Sequence, residues 1–173
     1  MKDKIAAAMN KQIAAEFYSG YLYLQMAAWF EENNLKGCAN WMRVQAQEEA
    51  AHAMIMFNYM TERGAAVELA KIDAPGKHFK SATDIFAKSL KHEKAVTASI
   101  NNLVDMAIAE KDHATRIMLE WFVTEQVEEE ASAQEILEKL KIIGDKPSPA
   151  LMVLDSTLAS RTFTTPAPLA GNA

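Results

Sequence analysis

The sequence predicts an all-α protein: a four-helix bundle with a long crossover between the second and third helices and a short fifth helix near the C-terminus. Three observations carry this. Only six glycines and five prolines occur in 173 residues, and they gather at a few breaks, leaving long runs of Ala, Glu, Lys, Leu and Met that favour helix. Within those runs apolar residues recur in steps of three and four, the period of one helix face. Between the second and third runs, residues 64–81 contain Pro75 and Gly76 and show no helical period. A linker of that length belongs in a compact domain when it has a long distance to cover.

The first helix is expected over residues 3–33, with the stripe Ile5, Met9, Ile13, Glu16, Gly20, Tyr23, Ala27, Phe30. Asn33, Asn34 and Gly37 separate it from a second helix over 38–63, with the stripe Cys38, Met42, Gln45, Glu49, His52, Met56, Tyr59, which Gly64 closes as a C-terminal glycine. At about 3.3 Å per extended residue the linker can run the length of a helix of about 40 Å, which allows the third helix to lie parallel to the second. That third helix, 82–111, presents Phe86, Leu90, Glu93, Val96, Ile100, Leu103, Ala107, and a short turn near Asp112 leads into the fourth. The fourth, 114–143, presents Leu119, Phe122, Gln126, Glu129, Ala133, Ile136, Leu140 and ends at Gly144 and Pro147. Residues 149–159 fit one short further helix. Residues 1–160 thus make one domain, and Arg161 to Ala173, rich in Thr, Pro and Ala, reads as a flexible C-terminal tail.

A composition of 50% hydrophobic and 24% charged residues suits one domain that buries about two-thirds of its unfolded surface. A single cysteine, Cys38, excludes an internal disulfide framework and any four-cysteine metal site within one chain, and suits a reducing cytoplasm. No export signal or membrane-length apolar run is visible, so a cytoplasmic protein without a membrane partner is expected. The net charge of -5, with acids and bases interspersed, argues against a nucleic-acid partner.

Each of the four stripes carries a carboxylate at a position that should face the core: Glu16, Glu49, Glu93 and Glu129. Burying one unpaired carboxylate costs several kcal/mol, and converging ones also repel. At about 1.5 Å per residue, all four, with His52 and Gln126, fall about 16 to 23 Å from the start of their helices, near mid-height. Something positive must sit among them. Glu49 and His52 lie one turn apart and can grip one metal, and Gln126 with Glu129 repeats the spacing. A carboxylate from each of the other helices completes the recipe for a di-iron centre in a bundle. Two divalent cations would neutralise the four charges, and oxygen ligands with one imidazole suit iron or manganese.

The stretches NKQIAAEFYSGYLYLQMA from Asn10, NWMRVQAQEEAAHAM from Asn40, EKDHAT from Glu110 and EWFVTEQVEEE from Glu120 resemble the bacterial non-haem ferritins over nearly the full length. The resemblance implies the ferritin-like bundle and a ferroxidase that oxidises Fe(II) with O2 or H2O2 and stores ferric oxyhydroxide inside a shell of 24 copies. By similarity Glu16, Glu49 and His52 hold a first iron, Glu49 bridges, and Glu93 with Glu129 holds the second, with Gln126 close by. Glu48, Glu125 and Glu128 match a third, weaker iron site, and Tyr23 matches a tyrosine that can supply an electron. Bacterioferritins carry a methionine after the bridging glutamate; Ala50 stands there, so no haem is expected. They also carry a second Glu-x-x-His, whereas Gln126 and Glu129 imply a looser second iron.

Other readings stay open at this level. Glu48, Glu125 and Glu128 lie one step off the stripes and fit plain surface acids; Tyr23 fits a core aromatic whose hydroxyl meets a carboxylate. The same centre also suits a rubrerythrin-like di-iron peroxidase or oxidase without storage, and a metal-free helical interaction protein is the rival from another class.

Overall fold

Helix boundaries follow local capping and turn chemistry. The structure is a computed structural model that describes residues 1–170; the last three residues of the expected tail lie outside the described residues. Helices α1 (Asp3–Glu32) and α2 (Lys36–Glu62) are joined by a reversal at Asn34, whose φ of 57° lets Leu35 N–H reach back to Phe30 O at 3.0 Å. Helix α3 (Ala82–Ala109) starts on Ser81, α4 (His113–Ile143) on Asp112 and α5 (Pro149–Leu158) on Ser148; each cap accepts a backbone N–H three residues on, at 3.2 Å. Gly64 and Gly144, with φ of 64° and 79°, follow α2 and α4 in the left-handed region expected of helix-ending glycines.

Gly37 departs from the sequence reading. It lies inside α2, not in the break, and its missing side chain serves α5, which crosses so closely that a Cβ at Gly37 would sit 1.6 Å from the Asp155 carbonyl oxygen. Sequence alone marks the glycine but not its crossing partner.

The long crossover makes α2 and α3 parallel. Arg63, just past α2, forks onto Asp112 in the α3–α4 turn at 3.2 and 3.3 Å, so both helices finish at the same end of the bundle. The linker between them is laid along α1 by Asn10, which pairs with Ala66 O and Glu68 N–H at 3.1 and 3.0 Å.

This topology splits the core in two. At one end Phe30 of α1, Cys38 and Met42 of α2, Ile85 and Phe86 of α3 and Leu137 and Leu140 of α4 pack together, covered by Leu151, Leu154 and Leu158 of α5. At the other, Ile5 and Met9 meet Met56 and Met60, Ile100 and Leu103, and Leu119 and Phe122. Each buried side chain of this size contributes about 1.5 to 3 kcal/mol. A short sixth helix, α6 (Ala167–Ala170), lays Leu169 against the second cluster. Among the described residues no helix is long and apolar enough to cross a membrane. Between the two clusters lies a polar layer.

Candidate metal centre

Glu16 of α1, Glu49 and His52 of α2, Glu93 of α3, and Gln126 and Glu129 of α4 form that layer, and none is more than 5% exposed. The helical period puts each on its core-facing stripe, and close packing of α1 on α2 brings the first three together. At Gly20 an added Cβ would lie 3.3 Å from Ala46 O and 3.8 Å from Glu49 Cβ, so the small residue there allows α2 to press Glu49 toward α1. Glu16, Glu49 and His52 each offer a ligand atom within 4.8 Å of one another.

A set of amides and hydroxyls holds the acids from outside. Gln12 Nε2 donates to Glu16 Oε1 at 2.9 Å, and Gln45 Nε2 donates to Glu129 Oε2 at 2.7 Å. Tyr23 donates its phenol to Glu93 and lies 3.1 Å from Ser89 Oγ. Gln126 Nε2 lies 3.3 Å from both Glu93 Oε2 and Thr97 Oγ1, so its amide faces Glu93 as a donor. Trp121 and Phe122 stand edge-on to the His52 ring, with centroids 5.5 and 5.9 Å away.

Sequence reading did not foresee the donor roles of Gln12 and Gln45. Gln12 lies four residues before Glu16 on the same helix, which was the available signal for its role; Gln45 reaches across to α4, which no local spacing encodes. The outer acids behave differently from the six. Glu125 comes within 4.8 Å of His52 and Glu129 through ligand-capable atoms, Glu48 is paired with Arg161 at 2.6 Å, and Glu128 is exposed.

The inner face of the layer is left without partners. Glu16 Oε2, Glu49 Oε2 and His52 Nε2 are buried and accept or donate no hydrogen bond, as is the Gln45 carbonyl oxygen. Such orphaned buried groups cost about 1 to 3 kcal/mol each, more when charged. Among the described residues no Lys or Arg is buried to offset them.

Protons take up part of the strain. Burial first, then the charges of Glu93, Glu16 and Glu129, drives Glu49 well above the usual carboxylate range. Burial raises Glu16 too, Glu93 rises to about 7, and Glu129, under burial and the Glu93 charge, rises to about 8. Burial pushes His52 down to about 4, so it is a neutral ligand at neutral pH.

Glu93 and Glu129 have folded values above the ordinary 4.5, so the stability they contribute is complete below 4.5 and is lost as pH rises through about 7 and 8. His52 acts oppositely between about 4 and 6.5 and adds no slope above that. With about one excess proton held per folded chain, metal-free protein should lose roughly 2 kcal/mol between about pH 6.5 and 8, lowering its Tm by about 4 to 8 °C. Thermal scans with and without Zn2+ check this; bound metal replaces the protons and should remove the fall. A metal-free Tm that is flat or rises over this window would contradict the arrangement.

The family model for the ferritin-like domain matches residues 6–143. The chain belongs to the ferritin family. Among curated ferritins, the bacterial non-heme ferritin of Bacteroides fragilis is 41% identical over 161 residues, covering 93% of this chain and 99% of that protein. That of Campylobacter jejuni is 39% identical over 84% of this chain and 87% of its own. A solved structure of an open-pore ferritin from the archaeon Archaeoglobus fulgidus superposes with a TM-score of 0.92 at 49% identity, over 94% of this chain and 98% of that one. The ferritin fold therefore extends over nearly the whole chain, and the polar layer occupies the middle of its bundle.

Proposed function

We propose that the chain is an iron-storage protein with ferroxidase activity, taking Fe(II) as substrate and depositing Fe(III) as oxyhydroxide inside a homo-oligomeric cage of 24 copies. One observation carries this reading: four carboxylates and an imidazole converge in a layer with unpartnered ligand atoms and no buried cation among the described residues. Membership of the ferritin family supports iron as the metal.

In this reading Glu16, Glu49 and His52 hold one Fe(II), Glu49 bridges, and Glu93 with Glu129 holds the other. Gln126 keeps Glu93 oriented. Hard anionic oxygens favour the higher charge, so the site assists loss of one electron from each ion. Two Fe(II) with two protons reduce O2 to H2O2, or H2O2 to two waters. Carboxylates that retain protons near pH 7 release them as iron binds, next to where reduction consumes them. Tyr23, donating to Glu93, stands where a further electron is available. Glu48, Glu125 and Glu128 form an outer iron position, with Glu125 nearest the centre. No haem is expected, because Ala50 stands where bacterioferritins carry methionine.

Exposed apolar residues support assembly. Tyr21, Leu69, Ile142 and Met152 are 59%, 68%, 86% and 70% exposed in the single chain, apolar surface that contact between copies would cover. A cytoplasmic location accords with the single free cysteine, Cys38.

Adding Fe(II) aerobically to metal-free protein tests the proposal. A rapid optical phase complete at two Fe(II) per chain, slower mineral growth beyond it, and a cage-sized particle are the expected results. A small dimer that turns over without retaining ferric mineral would instead favour the rubrerythrin-like peroxidase or oxidase.

A further inference from the structure

Among the described residues Arg161 is the cation whose charge reaches the acidic layer. It follows α5 directly, and Asn40 Nδ2 fixes its backbone by donating to Arg161 O at 2.9 Å. From there the side chain runs along α2. Its guanidinium carbon lies 4.5 Å from the centre of the Trp41 ring, Nη1 lies 3.5 Å from Trp41 O, and Nη2 donates to Glu48 Oε2 at 2.6 Å. The side chains of Arg161 and Glu48 are 24% and 18% exposed, so the pair is largely shielded from solvent. The Arg161 charge is felt at Glu129 as well as at Glu48.

Next to this pair His52, Glu125 and Glu129 offer ligand atoms within 4.8 Å of one another, and buried His52 Nε2 has no hydrogen-bond partner. Glu48 lies one helical turn before His52 on α2, which places it on the side of that set, where the Glu125 charge also bears on it. Its carboxylate is instead committed to the guanidinium.

We propose that Arg161 is a built-in cation that closes the outer metal position: it holds Glu48 in place of a divalent ion, and a third ion binds at Glu48 and Glu125, with Glu129 shared between it and the centre, when Arg161 swings aside. This rests on the reading of those acids as an outer iron position. The positive charge against Glu48 closes the position, and the Trp41 face steadies the side chain that carries it. The displacement breaks one charge-assisted hydrogen bond and one cation–π stack, so occupancy of the outer position is weakened by about tenfold relative to an unblocked one.

Calorimetric titration of metal-free cage with Zn2+, a redox-silent probe, tests this directly. Wild type should bind two ions per chain tightly and a third weakly. Arg161→Gln should bind the third about tenfold more tightly, with the first two constants unchanged. Arg161→Lys keeps a cation and should return the third constant to near the wild-type value. An unchanged third constant in Arg161→Gln overturns the proposal, as does equal tightening in Arg161→Lys. Should wild type lack the first two tight sites, the di-iron reading fails instead, so the two failures are distinguishable. Melting curves of both variants that stay single and cooperative establish that the fold is retained.

Discussion

Glu49→Gln is expected to abolish the rapid phase of Fe(II) oxidation while making the metal-free protein more stable. Glu49 lies 1% exposed among Glu16, Glu93 and Glu129, with one carboxylate oxygen unpartnered. Glutamine keeps the volume and cannot ionise, so folding no longer has to protonate or bury a carboxylate there, and no cavity opens. Metal-free protein should gain about 1 kcal/mol or more, which raises Tm by about 2 to 4 °C. The same change removes the proposed bridge. Loss of a group that merely orients a ligand costs about 10- to 100-fold in metal affinity or activity, so loss of the bridge should cost at least about 100-fold in the rapid phase.

Adding Zn2+ should reverse the order of stability. Wild type gains about 2.7 kcal/mol when the metal is present at about one hundred times its Kd, and the variant gains far less. The wild-type and variant melting curves therefore exchange places on loading. A retained rapid phase would remove Glu49 from the centre; a metal-free variant less stable than wild type would mean that the carboxylate is already satisfied without metal.

The second large effect lies away from the centre. Gly37→Ala is expected to destabilise the chain by about 3 kcal/mol or more, lowering Tm by roughly 6 to 12 °C. Replacing glycine inside a helix by alanine normally stabilises by about 0.5 to 1 kcal/mol, so the sign depends on what the new methyl meets. Here it would meet Asp155 O at 1.6 Å, Asp155 C at 2.5 Å and Ala159 N at 3.0 Å, all backbone atoms of α5 and its C-terminal cap. These cannot rotate aside, so α5 must move. Moving it strains the bond from Cys38 N–H to Asp155 Oδ1, 2.8 Å long, and opens Leu151, Leu154 and Leu158 to water. The four carboxylates lie away from this contact, and Zn2+ binding to the first two positions should be preserved. Calorimetry on the variant with and without Zn2+ measures both effects, and a Tm equal to or above wild type would refute the close crossing.

The positions of Glu16, Glu49, His52, Glu93, Gln126 and Glu129 were legible because helical period and rise are local. A carboxylate placed in step with Leu, Phe and Ile faces wherever they face, and its height follows from counting residues. Gln45 shared a stripe and Gln12 lay one residue off one; Gln12 meets Glu16 of its own helix, whereas the partner of Gln45, Glu129, lies on another helix and is fixed only by packing. Gly37 was misread as part of a break for a related reason: its requirement comes from Asp155, far along the chain, and no local pattern encodes that crossing. The composition of residues 161–173 likewise gives no sign that Asn40, Trp41 and Glu48 anchor Arg161.

By itself the sequence determined five of the helices to within about two residues, the buried acids and their common level, because these rest on propensity, periodicity and capping within short windows. Tertiary structure decided the parallel run of α2 and α3, the division of the core around a polar layer, the donors that hold each carboxylate and the seat of Arg161. All of these depend on contacts between residues distant in the chain, whose side-chain directions are fixed only when the helices have packed.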